Sequence, residues 1–183
     1  VASTQKLQGR VLTSGDSSAF LLEEKGVAQI GFGSKQVQKS KIEPDPAWGE
    51  IIAIKNYGGN LYLLDKGKNA IWRYQGTEAG FGSRQSWFVS GISPNLSAVV
   101  SAAVDGSIWL LTGEGKILQF TQGAPAAFGA AGLDKPFLNP SIIYTDSELD
   151  NLYILDKGNN RIVVLAKYGE YQSQYLSVSH LEQ

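Results

Sequence analysis

The chain has 183 residues, 43% of them hydrophobic, and its 16 basic and 17 acidic residues leave a formal charge of −1. That is enough apolar material for a sizeable core, while the lack of a basic excess argues against a non-specific nucleic-acid surface, which must displace counterions from phosphates. With no cysteine there is no disulfide framework, no thiolate metal site and no cysteine nucleophile, and the compartment stays open. The longest apolar runs, such as residues 162–166, fall far short of the ~20 that span a bilayer. Residues 1–6 show no apolar signal-peptide core, as would also hold for a mature or trimmed chain.

In chain order, the first segment carries an apolar pair at Val11-Leu12, an aromatic strand over 16–23, a third strand over 27–32 and a polar fourth over 35–42. The same series recurs at 51–57, 59–67, 70–74 and 85–89, then at 98–104, 105–113, 116–120 and about 127–137. It recurs once more at 141–145, 150–158, 161–166 and 171–176. The aromatic residue of each second strand, Phe20, Tyr62, Trp109 and Tyr153, returns at spacings of 42, 47 and 44, the period of a propeller blade. Turns such as Lys66-Gly67-Lys68-Asn69 and Lys157-Gly158-Asn159-Asn160 supply residues that tolerate positive φ. No stretch keeps an apolar stripe at helical spacing, so the expected fold is all-β with little helix. The four recurring aromatics are expected to lie buried between successive blades, with Tyr62→Ala and Tyr153→Ala each costing about 3 kcal/mol.

From Asn151 through the aromatic strand to Asp156, Gly158-Asn159-Asn160, Arg161 and Val163-Val164, the sequence strongly resembles an NHL repeat. The second repeat is similar but has Lys68 and Ala70 where the fourth has Asn159 and Arg161. The third places Thr112 at the Asp position, and the first keeps only the aromatic strand. The resemblance implies a β-propeller whose four four-stranded blades, at about 8–42, 48–90, 96–137 and 140–176, belong to a six-bladed ring. Residues 177–183 would then be a tail or the lead-in to a further blade. NHL-like propellers serve in extracytoplasmic sensor domains of bacterial receptor kinases and beside phosphatase-like domains of bacterial membrane proteins, which implies a membrane-anchored parent protein.

The residues that carry chemistry have bland readings beside sharp ones. Asp65 and Asp156 recur with the repeat, so they are read as caps accepting backbone N–H groups at their turns; cation binding is the alternative. Arg161 is expected to pair with backbone or a carboxylate of a neighbouring blade. Trp72 and Trp109 are read as core, Trp87 lies in a polar outer segment, and Trp48 is either packing or an aromatic platform on a loop face. His180 is the sole histidine, which disfavours a catalytic base or a histidine zinc site. The lysines at 35, 39 and 41 are read as protecting a strand edge. Gly31-Phe32-Gly33-Ser34 and Gly80-Phe81-Gly82-Ser83 lack the Gly-Lys and helix of a phosphate cradle.

No nucleophile–base set converges in the sequence, so the expected function is a non-enzymatic module that binds a protein or small-molecule ligand, part of a larger bacterial sensor or scaffold. No cofactor, resident metal or nucleic acid is expected. The expected ligand surface is a loop face holding Asp45, Trp48, Tyr57, Asn95 and Asn139. The alternative is a metal-assisted lactonase or lyase of the six-bladed type, in which Glu50, Asn56, Asn95 and Asp146 supply hard oxygen donors. Four blades of NHL curvature would leave an apolar sheet face at each end, so self-association through those faces is a further expectation.

Overall fold

The computed structural model describes residues 8–15, 17–24, 26–32 and 37–176, and of 37–41 the backbone alone. Lys35, His180, the side chains of Lys39 and Lys41, and residues 177–183 therefore lie outside the described residues. Sixteen strands form four four-stranded antiparallel sheets, each a meander of consecutive strands, which is the blade of an all-β propeller. The first sheet is β1 (Gly9–Ser14), β2 (Ser18–Glu23), β3 (Gly26–Gly31) and β4 (Val37–Ile42). The second is β5 (Ile51–Tyr57), β6 (Asn60–Asp65), β7 (Ala70–Thr77) and β8 (Gly80–Ser86). The third is β9 (Val99–Val104), β10 (Ser107–Thr112), β11 (Ile117–Thr121) and β12 (Ala124–Ala126), and the fourth is β13 (Pro140–Tyr144), β14 (Asn151–Asp156), β15 (Arg161–Ala166) and β16 (Tyr171–Leu176). The sole helical element among the described residues is a 3-10 turn at Lys157–Asn159.

Two compact units divide the chain, Val1–Phe88 and Val89–Gln183, and each holds two sheets packed face to face. In the first unit, Phe20, Leu22 and Val27 meet Ile51, Ile54, Leu61, Leu63 and Tyr74. In the second, Trp109, Leu111 and Ile117 meet Ile143, Leu152, Ile154, Val163 and Leu165. Strand alternation assigns one face of each sheet to these cores, and each fully buried aliphatic side chain contributes about 1.5–3 kcal/mol.

That alternation corrects the expected burial of the recurring aromatics. Phe20 and Trp109 sit on the face their sheets present to the next sheet and are buried, at 5% and 1% exposure. Tyr62 and Tyr153 occupy the same repeat position, but in their sheets the face buried within the unit is the opposite one, carrying Leu61 and Leu63 or Leu152 and Ile154. Both tyrosines are half-buried; Tyr62 stands edge-on to Trp87 at 6.4 Å between ring centroids.

Two outer strands also differ from expectation. β12 starts at Ala124 because Gln122 and Gly123 both take positive φ, 51° and 81°, the geometry of a tight two-residue hairpin straight after β11. Its three residues end the sheet, and 127–137 becomes a loop that sets Phe128 edge-on to Trp109 at 5.3 Å. β8 begins at Gly80, whose φ of 128° closes the turn from β7, so the strand ends at Ser86 rather than near Val89.

Candidate functional site

The repeating aspartates come first because they are the deepest charges. Asp65 and Asp156 end β6 and β14 and are wholly buried. Asp65 accepts hydrogen bonds from Lys68 N at 3.0 Å, Gly49 N at 2.8 Å and Trp72 Nε1 at 2.8 Å. Asp156 accepts from Leu138 N at 2.8 Å, Asn159 Nδ2 at 2.7 Å and Arg161 Nε at 2.8 Å. Each carboxylate therefore ties its own turn to the loop that leads into the sheet. The glycine after Asp-Lys lets those segments touch: a Cβ on Gly67 would lie 2.6 Å from Glu50 N, and one on Gly158 2.4 Å from Leu138 O. The closing Asn69 and Asn160 hold φ of 50° and 51°, which asparagine tolerates better than most residues. In the third sheet Thr112 keeps one part of this work, its Oγ1 accepting from Lys116 N at 3.0 Å. The capping role read from the sequence is what Asp65 does through Lys68 N; Asp156 makes no bond to the backbone of its own turn and holds it through the side chains of Asn159 and Arg161 instead.

Arg161 is 2% exposed and spends its donors locally. Besides Asp156 it bonds Asp134, Gln174 Oε1 at 2.9 Å and Lys135 O at 2.7 Å. It thus pairs with its own sheet and with the loop from the third sheet. Gln174, with Arg161 beside it, holds the Asp134 carboxyl below the ordinary carboxylate range. Lys167 makes a further tie, at 2.7 Å from Asp105 and 3.0 Å from Asp146 O.

A recess of about 720 Å³ opens along the seam between the first and second sheets. Phe20 and Phe81 form its apolar floor, edge to face with centroids 5.7 Å apart. Ser18, Gln29 and Asn56 supply polar groups; Gln29 Nε2 donates to Ser18 Oγ at 2.8 Å and Asn56 Nδ2 donates to Asn60 O at 3.2 Å. Glycine keeps the walls thin: a Cβ on Gly76 would lie 2.2 Å from Gly59 O, and one on Gly15 2.5 Å from Asn56 Oδ1. Among the described residues, Glu78 is the one charged lining residue. A smaller recess of about 390 Å³ shares Phe81 and includes Asp45 and Tyr74.

The expected ligand residues fall in several places. Asp45 is held by Arg84 at 2.9 Å and accepts from Ala47 N at 2.8 Å. The Arg84 guanidinium lies 4.4 Å from the centroid of the Trp72 ring, whose indole N–H binds Asp65, so one network links the Asp45 loop to the second sheet. Trp48 packs: its indole donates to Tyr74 Oη at 2.8 Å, edge to face. Burial pushes the Tyr74 hydroxyl up to about 12, against the lowering effect of that bond. Tyr57 ends β5 and Trp48 precedes its start, so no single loop face holds both. It adjoins Asn56 of the larger recess. Asn95 and Asn139 belong to the second unit; Asn95 Oδ1 accepts from Ser97 N at 2.9 Å, and Asn139 takes a φ of 52° ahead of β13. Of the proposed oxygen donors, Glu50 is exposed, Asn56 lines the recess, and Asp146 caps its turn through Glu148 N at 2.9 Å. Sequence reasoning missed Phe81 and Gln29. The signal for Phe81 was the Gly80-Phe81-Gly82 motif, weighed only as a phosphate loop.

The fold has solved counterparts. A streptogramin B lyase matches with a TM-score of 0.60 at 16% identity, over 91% of this chain and 54% of that one. The virginiamycin B lyase of Staphylococcus aureus matches with a TM-score of 0.59 at 18% identity, over 92% and 55%. PorZ, a surface component of the type-IX secretion system of Porphyromonas gingivalis, matches with a TM-score of 0.57 at 12% identity, over 91% and 20%. The chain spans about half the length of the two lyases. At these identities the likeness shows the β-propeller fold alone. No protein-family model and no curated protein sequence matches the chain.

Proposed function

We propose that the chain is a non-catalytic binding module built from blades of the NHL kind, part of a larger bacterial sensor or scaffold protein with a membrane anchor. The observation that supports it is the recess along the first seam, with an aromatic floor, amide and hydroxyl groups above it and the acidic side chain of Glu78. Such a lining suits a small uncharged or cationic polar ligand, or a peptide side chain of that chemistry, with an apolar face for the Phe20–Phe81 pair. The interior acids favour this reading over catalysis, because Asp65, Asp105 and Asp156 are committed to backbone and indole donors that hold turns in place.

Ligand-detected magnetic resonance with a panel of amines, amides and polyols tests the site. Expected is a set of binders whose signal is lost in both Phe81→Ala and Asn56→Ala, with the sheet circular-dichroism spectrum retained. Binders untouched by either change would remove the recess as the site. Elemental analysis serves the lyase alternative: a stoichiometric divalent ion in the purified protein would replace the binding reading with a metal-assisted one.

A further inference from the structure

Among the described residues, the fourth sheet presents an uncharged face opposite the one packed on the third sheet; Val164 on it is buried, while its flanking side chains are exposed. Strand register places Tyr144, Tyr153 and Val164 in one row across it and Ile142, Leu155, Ile162 and Tyr175 in the next. Residues directly opposite in antiparallel pairs share a face. Ile142 is 49% exposed, Tyr144 53% and Tyr175 64%. Contiguous apolar faces of this kind mark interaction surfaces.

The chain itself shows what such a face is made for. The third sheet carries the matching set, Ala103 and Trp109 in one row, Leu111 and Ile117 in the next. There the face is buried beneath Ile143, Leu152, Ile154, Val163 and Leu165 of the sheet that follows. In the first sheet the corresponding Phe20, Leu22 and Val27 are covered by Ile51, Ile54, Leu61 and Leu63 of the second. An aromatic trailing face is thus covered, in both units, by the aliphatic leading face of another sheet.

Among the described residues, the leading face of the first sheet is exposed along its β1 edge, with Ala28 on it buried. In the first sheet, register aligns Leu12, Leu21 and Ala28 in one row and Ser14, Ala19 and Ile30 in the next. Leu12 is 62% exposed, and Leu21 and Ile30 are half-buried. These six side chains are uncharged and three of them, Ser14, Ala19 and Ala28, are small, so they offer room for the large rings of the fourth sheet.

We propose that the fourth-sheet face of one copy docks on the first-sheet face of a second copy of this chain. The contact is head-to-tail, so it either closes into a ring of copies or continues as a chain of them. Burying both faces removes the exposed tyrosine and isoleucine rows from water, the same driving force that joins sheets within each unit.

Light scattering on the purified chain reads the outcome. Expected is a mass that rises with concentration to at least twice the 19.7 kDa of one chain. Leu12→Glu, and separately the pair Ile162→Glu with Tyr175→Glu, should each hold the protein at one chain mass. Unchanged circular dichroism would show that both still fold, as their exposed positions allow. Mixing the two variants should restore a one-to-one dimer, because each retains the face that the other lacks. A mass of one chain for the unmodified protein up to ~100 μM overturns the proposal. So does association that survives both sets of changes, or a mixture that stays monomeric.

Discussion

The turns after β6 and β14 open with the same three residues, Asp-Lys-Gly, and complete their carboxylate's coordination differently. In the fourth sheet the residue paired with Asp156 across the ladder is Arg161, whose guanidinium bonds it directly. In the second sheet that ladder position is Ala70, and the donor arrives from Trp72 two residues further along the same face. One backbone N–H from the leading loop is shared, from Gly49 or Leu138, while Asp65 adds Lys68 N of its own turn where Asp156 takes the Asn159 side-chain amide. What the repeat fixes is therefore a buried carboxylate with a third donor, and either a charged fork or a neutral indole meets the need. The difference is electrostatic: Asp156 is neutralised by a buried partner, whereas Asp65 rests on neutral dipoles.

Breaking the two nodes should expose that difference, and the largest effect belongs to the fourth sheet. Asp156→Ala leaves Leu138 N and Asn159 Nδ2 without their acceptor and the buried Arg161 with the exposed Asp134 as its remaining carboxylate, and should destabilise by about 3–5 kcal/mol, the range for breaking a buried ion pair. Asp65→Ala leaves neutral donors unpaired and should cost less, about 2–3 kcal/mol. Urea denaturation of both variants measures the contrast, and equal losses would show that the guanidinium adds nothing beyond the indole. Trp72→Phe probes the same node from the other side. It keeps most of the ring while removing one hydrogen bond to a carboxylate, an expected loss of about 1.5–3 kcal/mol.

The aromatic position of the repeat gives a second contrast of smaller size. Trp109→Ala removes a side chain buried on a face covered by Leu152 and Ile154, and should cost about 3–5 kcal/mol. Tyr153→Ala, at the same repeat position, empties a half-buried site and should cost about 1 kcal/mol, the centre of ordinary point-mutant effects. Denaturation midpoints that move equally in the two variants would mean that the Tyr153 face is covered in solution.

These residues also show where sequence reading succeeds and where it stops. The blade period, the four-strand grammar and the Asp65 cap were legible because each is local: spacing, alternation and turn chemistry act within about ten residues. The start of β12 was not, because Gln122-Gly123 is a weak hairpin signal whose left-handed geometry becomes clear in the folded turn. Whether an aromatic is buried depends on which face meets a neighbour, and alternation alone gives two faces without saying which is covered. The recess was hidden for a related reason. Gln29, Asn56 and Phe81 come from three strands of two sheets, and sequence placed none of them together. Trp48 stayed open between packing and a platform because its partner, Tyr74, is 26 residues away in the chain.

The smallest expected effects are the pH responses of Tyr74 and Asp134, which lie at opposite ends of the scale. Tyr74 in the first unit is buried, so its hydroxyl ionises only near 12. A raised value means the folded state favours the protonated form; that stability is complete below about 10, the ordinary tyrosine value, and fades as pH rises toward 12. Asp134 in the second unit is depressed instead, chiefly by the Gln174 amide and then by Arg161. A depressed value favours the ionised form, so its contribution is present above about 4, the ordinary carboxylate value, and is lost as pH falls below it. Asp134 is exposed, and solvent screening keeps its share small. Tyrosinate absorbance should therefore show a late phase, to which Tyr144 and Tyr168 also contribute through their carboxylate partners, and Tyr74→Phe should reduce its amplitude by one tyrosine while flattening the alkaline loss of stability. Asp134→Asn should flatten the acid limb and leave the alkaline one unchanged. An acid limb identical in Asp134→Asn and the unmodified protein would assign that loss to other carboxylates and reduce the Asp134–Arg161 pair to a positional contact.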